Sequence, residues 1–206
     1  MDTWAKDDAE REALCDDLAG LDASQWDVQS FCPEWKVRHV VAHQIEQIGR
    51  TGRAVVVGLV KNGMNANRFI ARDALIAGAA SPESLVTRLR ATIGTHKGPP
   101  MASPAVMLVE TVCHSADIRC PLGIKYTTPE ATLVEAADTL KRSNIPFRTK
   151  KRIGGLRLVA TNAAWSTGEG PSVEGPLESL ILVMAGRPAG FDDLTGEGTS
   201  VLSSRT

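Results

Sequence analysis

The stretch Pro104-Ala-Val-Met-Leu-Val-Glu110-Thr-Val-Cys-His114-Ser-Ala-Asp117-Ile118 decides how the rest of the chain is interpreted. It predicts a helix that is apolar on every side, which is typical of a buried helix. Glu110, His114 and Asp117 stand at i, i+4 and i+7, so their side chains project in one direction. Buried carboxylates and imidazoles are costly unless they are paired, hydrogen-bonded or bound to a metal. The stretch therefore predicts one half of a metal site.

The same residues allow other interpretations from the sequence alone. A buried hydrogen bond between Glu110 and His114 needs no metal. Asp117 could instead form a salt bridge at the end of the helix, with Arg119 as its partner. Cys113 lies about 60° from Glu110 around the helix axis, and we interpret it as a small core residue beside the site. The pattern of this helix leaves a metal site and a hydrogen-bonded pair both open.

Composition excludes several classes of function. The chain has 206 residues, enough for one or two domains, and 43% of them are hydrophobic. With a net charge of −1 and no long charged run, we expect no nucleic-acid partner. No apolar run reaches the roughly 18 residues of a membrane-spanning helix, and the acidic start Met1-Asp-Thr-Trp-Ala-Lys-Asp-Asp8 is unlike a signal peptide. We therefore expect a cytoplasmic protein with no membrane partner and free cysteines, either a monomer or a homodimer.

The pattern of elements predicts two domains. Helices are predicted over about 2–20, 36–60, 81–94 and 104–118, with a shorter candidate over 66–77. Four substantial helices predict a helix bundle over 1–123, a fold that often builds metal sites between facing helices. Beyond it we predict helices over 130–143 and 176–185, strands over 155–161 and 171–174, and a last strand within 193–202. The fold class is therefore α+β, with a small α+β domain over 124–206.

The predicted helix over 36–60 contains a difficulty for the metal interpretation. Its core face is defined by mostly apolar residues, namely Val37, Val40, Val41, Gln44, Ile45, Ile48 and Val55. His39 and His43 lie roughly opposite that face, so periodicity alone turns His43 toward solvent or toward a second, polar cleft. These two histidines also form a competing i, i+4 pair. The sequence pattern therefore does not by itself make His43 a ligand.

Several separated motifs resemble one family. The segment Glu34-Trp-Lys-Val-Arg-His-Val-Val-Ala-His43 resembles the W-T-V-R-D-x-x-A-H segment of the DinB-like, mycothiol-dependent maleylpyruvate isomerases, and Glu110-x-x-x-His114-x-x-Asp117 resembles their E-xxx-H-xx-D motif. Similarity to their C-terminal domain is carried by Gly155-Leu-Arg-Leu-Val-Ala-Thr161, Trp165, Gly168-Glu-Gly-Pro171, Val173-Glu-Gly-Pro176 and Gly186-Arg187. The chain departs from the family pattern at Lys36, His39 and Asn162.

The resemblance implies a DinB-like up-down four-helix bundle that holds a divalent metal, usually zinc, through His43, Glu110 and His114. In such a bundle the polar side of the second helix would face a metal cleft. That orientation would explain why His43 lies opposite the apolar face of its helix. Asp117 would then orient a histidine ligand. Arg187 would bind a substrate carboxylate in the bidentate way that arginine favours. The other interpretation of Arg187 is a cation that stabilises a helix C-terminus.

The resemblance also implies an activity. In the family, a metal-bound thiol cosubstrate, mycothiol, attacks an electrophilic small molecule as its thiolate. A cis–trans isomerase would release the thiol after rotation about the activated bond, whereas a thiol S-transferase would release the adduct. Two other classes stay open, a zinc-dependent hydrolase on the same site and a non-catalytic metal-binding module.

Overall fold

The computed structural model describes residues 1–145 and 147–206. It consists of two compact units, Met1–Tyr126 and Thr127–Thr206. The first contains α1 (Thr3–Ala19), α2 (Val37–Gln47), α3 (Gly52–Lys61), α4 (Ala66–Ala77), α5 (Pro82–Arg90) and α6 (Pro104–Arg119). The second contains α7 (Glu130–Leu140), α8 (Thr149–Ile153), β1 (Arg157–Ala160), β2 (Ser166–Thr167), β3 (Ser172–Gly175), α9 (Leu177–Met184) and α10 (Thr199–Ser203). No helix in the described ranges is long and apolar enough to cross a membrane.

Four helices of the first unit form the bundle. α1 packs against α5 and α6, and α2 packs against the same two helices. Leu14 of α1, Val41 of α2, Leu89 of α5 and Ile118 of α6 are fully buried in their shared core. α4 packs on the outside of α2, and α3 packs on α4. The predicted helix bundle is thereby confirmed.

The start of α6 follows from its sequence. Ser103 precedes the helix, and its Oγ accepts a hydrogen bond from the Val106 backbone N–H at 3.3 Å. This bond satisfies one of the donors that the first turn of a helix leaves without a partner. Pro104 occupies the first helical position, where the missing N–H costs nothing. A single uninterrupted helix then keeps Glu110, His114 and Asp117 in the predicted register.

The prediction of one helix over 36–60 is wrong, because the chain divides it into α2 and α3. α2 ends at Gln47, Gly49 adopts a φ of +70°, and Thr51 Oγ1 accepts from Ala54 N at 3.2 Å to begin α3. A positive φ cannot continue an α-helix, and glycine adopts it at little steric cost. Within α3 only Gly58 is buried, so this helix extends the bundle without entering its core.

The second unit is a small α+β domain. β1 is the middle strand, antiparallel to β2 and parallel to β3, with Leu158 opposite both Thr167 and Val173. The apolar helix α9 packs against α7 and the sheet. The predicted strand within 193–202 is wrong. Gly196, with a φ of +105°, interrupts the extended chain, and α10 follows. The predicted fold class, a helical bundle with a small α+β part, is confirmed.

Candidate metal centre

Three of the predicted site residues converge inside the first unit. Glu110 Oε2 lies 3.2 Å from His114 Nε2 and 3.8 Å from His43 Nε2. The two imidazole rings are edge-on, with centroids 5.0 Å apart. Each residue offers a ligand atom within 4.8 Å of the other two. Because tetrahedral zinc ligands at 2.0–2.2 Å from the ion are roughly 3.3–3.6 Å apart, these atoms are close enough to share one metal.

His43 belongs to this group because α2 is enclosed on more than one side. Its side chain is 12% exposed, compared with 17% for Glu110 and 6% for His114. Trp35, just before α2, lies against the His43 ring with centroids 4.9 Å apart. The alternative in which His43 points to solvent is therefore wrong. Instead, His43 faces other polar side chains, with Glu110 Oε2 3.8 Å from its Nε2 and the His114 ring against its own.

Asp117 lies behind His114 on the same helix. Its Oδ2 is 2.9 Å from His114 Nδ1, and the residue has no exposed surface. A carboxylate that accepts the Nδ1 proton leaves Nε2 as the nitrogen that faces Glu110. Arg119, the alternative partner of Asp117, instead pairs with Glu10 and with Asp17 of α1. Asp117 thus has the position of a group that orients an imidazole.

Cys32 is a neighbour of the site that the sequence analysis missed. Its Sγ lies 3.2 Å from Asp117 Oδ2 and 4.0 Å from His114 Nδ1. Cys32, His114 and Asp117 form a second group of atoms of ligand type within 4.8 Å of one another. No ligand spacing links Cys32 to α6 in the sequence. Only the tertiary packing of the loop before α2 brings the thiol to this position.

The remaining candidates are not members of this ligand group. His39 Nδ1 accepts from Lys36 N at the start of α2, and Cys113 is fully buried. Neither belongs to a ligand group within the described part of the chain. Arg187 lies in the second unit after α9, and its Nη1 donates to the Ala185 carbonyl at 3.0 Å. That contact is the one expected of a cation at a helix C-terminus.

The three converging groups differ in their affinity for protons. Burial opposes ionisation of Glu110, but hydrogen bonds with His114 and His43 hold its pKa far below the ordinary value. Burial lowers the pKa of His43, which Glu110 offsets only in part. Burial also opposes protonation of His114, yet its hydrogen bonds with Asp117, Cys32 and Glu110 raise its pKa well above the ordinary value. Of these three groups, His114 is therefore the one that favours its protonated form when no metal is bound.

The donor set fits a divalent metal. Two imidazole nitrogens and one carboxylate oxygen are typical zinc ligands, and three protein ligands with one open position are typical of a catalytic site. A histidine ligand whose other nitrogen bonds a carboxylate is the usual arrangement around such ions. Fold and donor set together define a helix-bundle protein with a candidate metal centre.

Comparison with known proteins identifies similar proteins with a related fold. Residues 8–95 match the family model of the mycothiol maleylpyruvate isomerase N-terminal domain. Two solved structures of mycothiol-dependent maleylpyruvate isomerase, one of them a histidine-to-alanine mutant, share the fold with a TM-score of 0.62 each. The unmutated structure is 15% identical and the mutant 14%, and each match covers 96% of this chain and 92% of the other. No curated protein matches the chain.

Within the N-terminal unit, the segment over residues 8–95 matches the N-terminal domain of the mycothiol maleylpyruvate isomerase family. This confirms the family that the sequence motifs indicated. The matched segment contains His43, whereas Glu110 and His114 lie beyond its end. The structural likeness extends over both units, but at this low sequence identity it shows a shared fold and nothing more.

Proposed function

We propose that the chain is a metal-dependent enzyme that uses a low-molecular-weight thiol, mycothiol, to attack an electrophilic small molecule. The reaction is a cis–trans isomerisation of the maleylpyruvate isomerase type or a thiol S-transfer. The observation that carries the proposal is the convergence of His43 Nε2, Glu110 Oε2 and His114 Nε2 in one largely buried site. The family match of the surrounding unit supports the thiol cosubstrate.

We propose zinc as the metal, with His43, Glu110 and His114 as its ligands. A bound divalent metal favours the thiolate form of a coordinating thiol, which makes it a nucleophile at neutral pH. The low pKa of Glu110 and of His43 leaves a carboxylate oxygen and a neutral imidazole ready to bind a cation. His114 must release one proton to do the same.

Other residues position and shield these groups. Asp117 keeps a proton on His114 Nδ1 and so directs Nε2 toward the ligand group. Trp35 covers the His43 ring and limits the access of water on that side. We further propose that Arg187 binds a carboxylate of the substrate. That role is supported by the resemblance of Gly186-Arg187 to the C-terminal domain of the family.

Metal analysis of the purified protein tests the centre. The wild type is expected to hold about one equivalent of a divalent metal, and the His43→Ala, His114→Ala double variant none. His39→Ala is the matched control, because it removes an imidazole from the same helix outside the ligand group. Retention of the metal by the double variant, or its absence from the wild type, would contradict the proposed centre.

Assays with and without thiol separate the reaction classes. The metal-loaded protein is incubated with mycothiol and maleylpyruvate, with mycothiol and an alkylating electrophile, and with esters in the absence of thiol. Isomerisation or conjugate formation that needs both metal and thiol supports the proposal. Ester hydrolysis without thiol would show a hydrolase instead. Failure to turn over any of these compounds would favour a non-catalytic metal-binding module.

A further inference from the structure

Cys32 touches the histidine–carboxylate pair without belonging to the proposed ligands. Its thiol donates to Asp117 Oδ2 at 3.2 Å, and the same oxygen lies 2.9 Å from His114 Nδ1. One carboxylate oxygen therefore accepts from two donors, one on α6 and one on the loop before α2. Asp117 has no exposed surface, so in the folded protein its carboxylate is shielded from bulk water and depends on protein donors.

The loop that carries Cys32 is fixed by its own hydrogen bonds. Phe31 N donates to the Asp117 carbonyl at 3.1 Å, which ties the loop to α6. Ser30 Oγ accepts from Cys32 N at 3.1 Å and donates to the Trp35 carbonyl at 2.6 Å. These bonds hold the backbone on both sides of the thiol. The contact between Cys32 and Asp117 is therefore part of an ordered loop.

We propose that Cys32 is a positioning residue for His114 and acts through Asp117. The thiol fixes the rotation of the carboxylate so that Oδ2 faces Nδ1. With Nδ1 bonded, the imidazole cannot turn, and Nε2 stays directed at Glu110 and His43. The inference rests on the proposed metal centre and adds a residue that maintains its geometry.

The same atoms permit a different arrangement, in which Cys32, His114 and Asp117 are themselves ligands of an ion. The separation of 2.9 Å between Nδ1 and Oδ2 is that of an N–H···O hydrogen bond. His114 also presents its other nitrogen to Glu110. With the proposed centre occupied, ligation by Cys32 would thus require a second ion bound to the same imidazole. The two arrangements differ in how many zinc ions the protein binds and in what the loss of the thiol does to them.

Zinc titrations against a competing chelator provide the first test. Cys32→Ala is expected to weaken zinc affinity about tenfold, the lower end of the loss seen when a partner of a ligand is removed. Cys32→Ser keeps a donor and should remain within about threefold of the wild type. Cys15→Ala, which removes a buried thiol outside both ligand groups, is the matched control. Unchanged affinity in Cys32→Ala overturns the proposal, as does a second bound zinc that this variant loses.

Proton NMR of the metal-free protein provides a test that needs neither metal nor activity. The His114 Nδ1 proton is expected as a downfield, exchange-protected resonance in the wild type and in Cys32→Ser, and to be lost in Cys32→Ala. Thermal melts verify that each variant is folded, and Cys32→Val replaces the alanine variant if that one does not fold. An unchanged resonance overturns the proposal. Loss of the resonance together with a wild type that binds no zinc would contradict the proposed function but support the role of Cys32.

Discussion

His114 Nδ1 lies 2.9 Å from Asp117 Oδ2, one helical turn further along α6. On the opposite side of the ring, Nε2 lies 3.2 Å from Glu110 Oε2. The imidazole is therefore held between two carboxylates that the period of a single helix places on one stripe. Of the two, Asp117 is completely buried whereas Glu110 retains some exposure. The first is suited to orient the ring, and the second to bind a cation with it.

Asp117→Asn is expected to weaken zinc binding by about 10- to 100-fold. An amide can turn its NH2 group toward Nδ1, which moves the proton to Nε2 and removes the lone pair that faces Glu110. Chelator competition measures the affinity. Asp192→Asn, which changes an exposed acid of the second unit, should leave it unchanged. An affinity of Asp117→Asn within about threefold of the wild type would mean that Asp117 does not orient His114.

Zinc binding is expected to release about one proton at pH 7. Burial disfavours protonation of His114, but its hydrogen bonds with Asp117, Cys32 and Glu110 outweigh burial and raise its pKa. The lowered pKa values of His43 and Glu110 leave neither residue with a proton to release. Affinity should therefore increase with pH up to the raised pKa of His114 and then level off. Calorimetry in buffers of different ionisation enthalpy measures the release, and no release would mean that His114 is neutral in the metal-free protein.

The sequence predicted α6 and its polar stripe well because both depend on local rules. Ser103 and Pro104 define the start of the helix, and the helical period then aligns Glu110 with His114. The burial of His43 could not be predicted in this way, since it depends on how α2 packs against α6. Periodicity describes one face of a helix, whereas α2 is covered on several.

Two other features were beyond local rules. The apolar pattern of the second helix continues past Gly49, and nothing in that pattern shows that this glycine adopts a positive φ. Cys32 lies in a loop, where no period relates it to α6. Its contact with Asp117 arises from the hydrogen bond of Phe31 N to the Asp117 carbonyl. Loop conformation and helix packing are tertiary properties, and they determine the part of the site that the sequence did not show.

Asp7→Ala is expected to destabilise the protein by about 3–5 kcal/mol, because it leaves a buried guanidinium without its counter-ion. Arg11 is 1% exposed and Asp7 2%, with 2.9 Å between Arg11 Nε and Asp7 Oδ2. Asp7 also accepts from Thr111 of α6, so the pair joins α1 to α6. Asp16→Ala breaks an exposed pair with Arg90 and should change stability little. Urea unfolding measures the free energy of unfolding of both variants. Similar losses of stability would contradict the larger contribution expected of the buried pair.

Arg187→Ala is expected to increase KM for a carboxylate substrate by about 10- to 100-fold, the range for loss of a hydrogen bond to a charged group. Zinc content should not change, because Arg187 is not a proposed ligand. Arg187→Lys should recover only part of the loss, since an ammonium group lacks the planar fork of a guanidinium. Arg142→Ala, at an exposed arginine of the same unit, is the control. Steady-state kinetics with the metal-loaded protein measures KM, and an unchanged KM would contradict a role of Arg187 in substrate binding.

Gly58→Ala is expected to destabilise α3 by about 1–3 kcal/mol, because overpacking forces neighbouring groups to shift. A Cβ at Gly58 would overlap the ring of Phe69 on α4, so the ring or the helix that carries it would have to shift. A Cβ at Gly52, at the start of α3, would instead meet Pro100 Cγ at an ordinary contact distance of 3.9 Å. Gly52→Ala should therefore stabilise the protein by about 0.4–1 kcal/mol, because alanine lowers the conformational entropy of the unfolded chain. Amide hydrogen exchange across α3 measures the local effect, and equal exchange rates in the two variants would show that the Gly58–Phe69 contact does not hold α3 on α4.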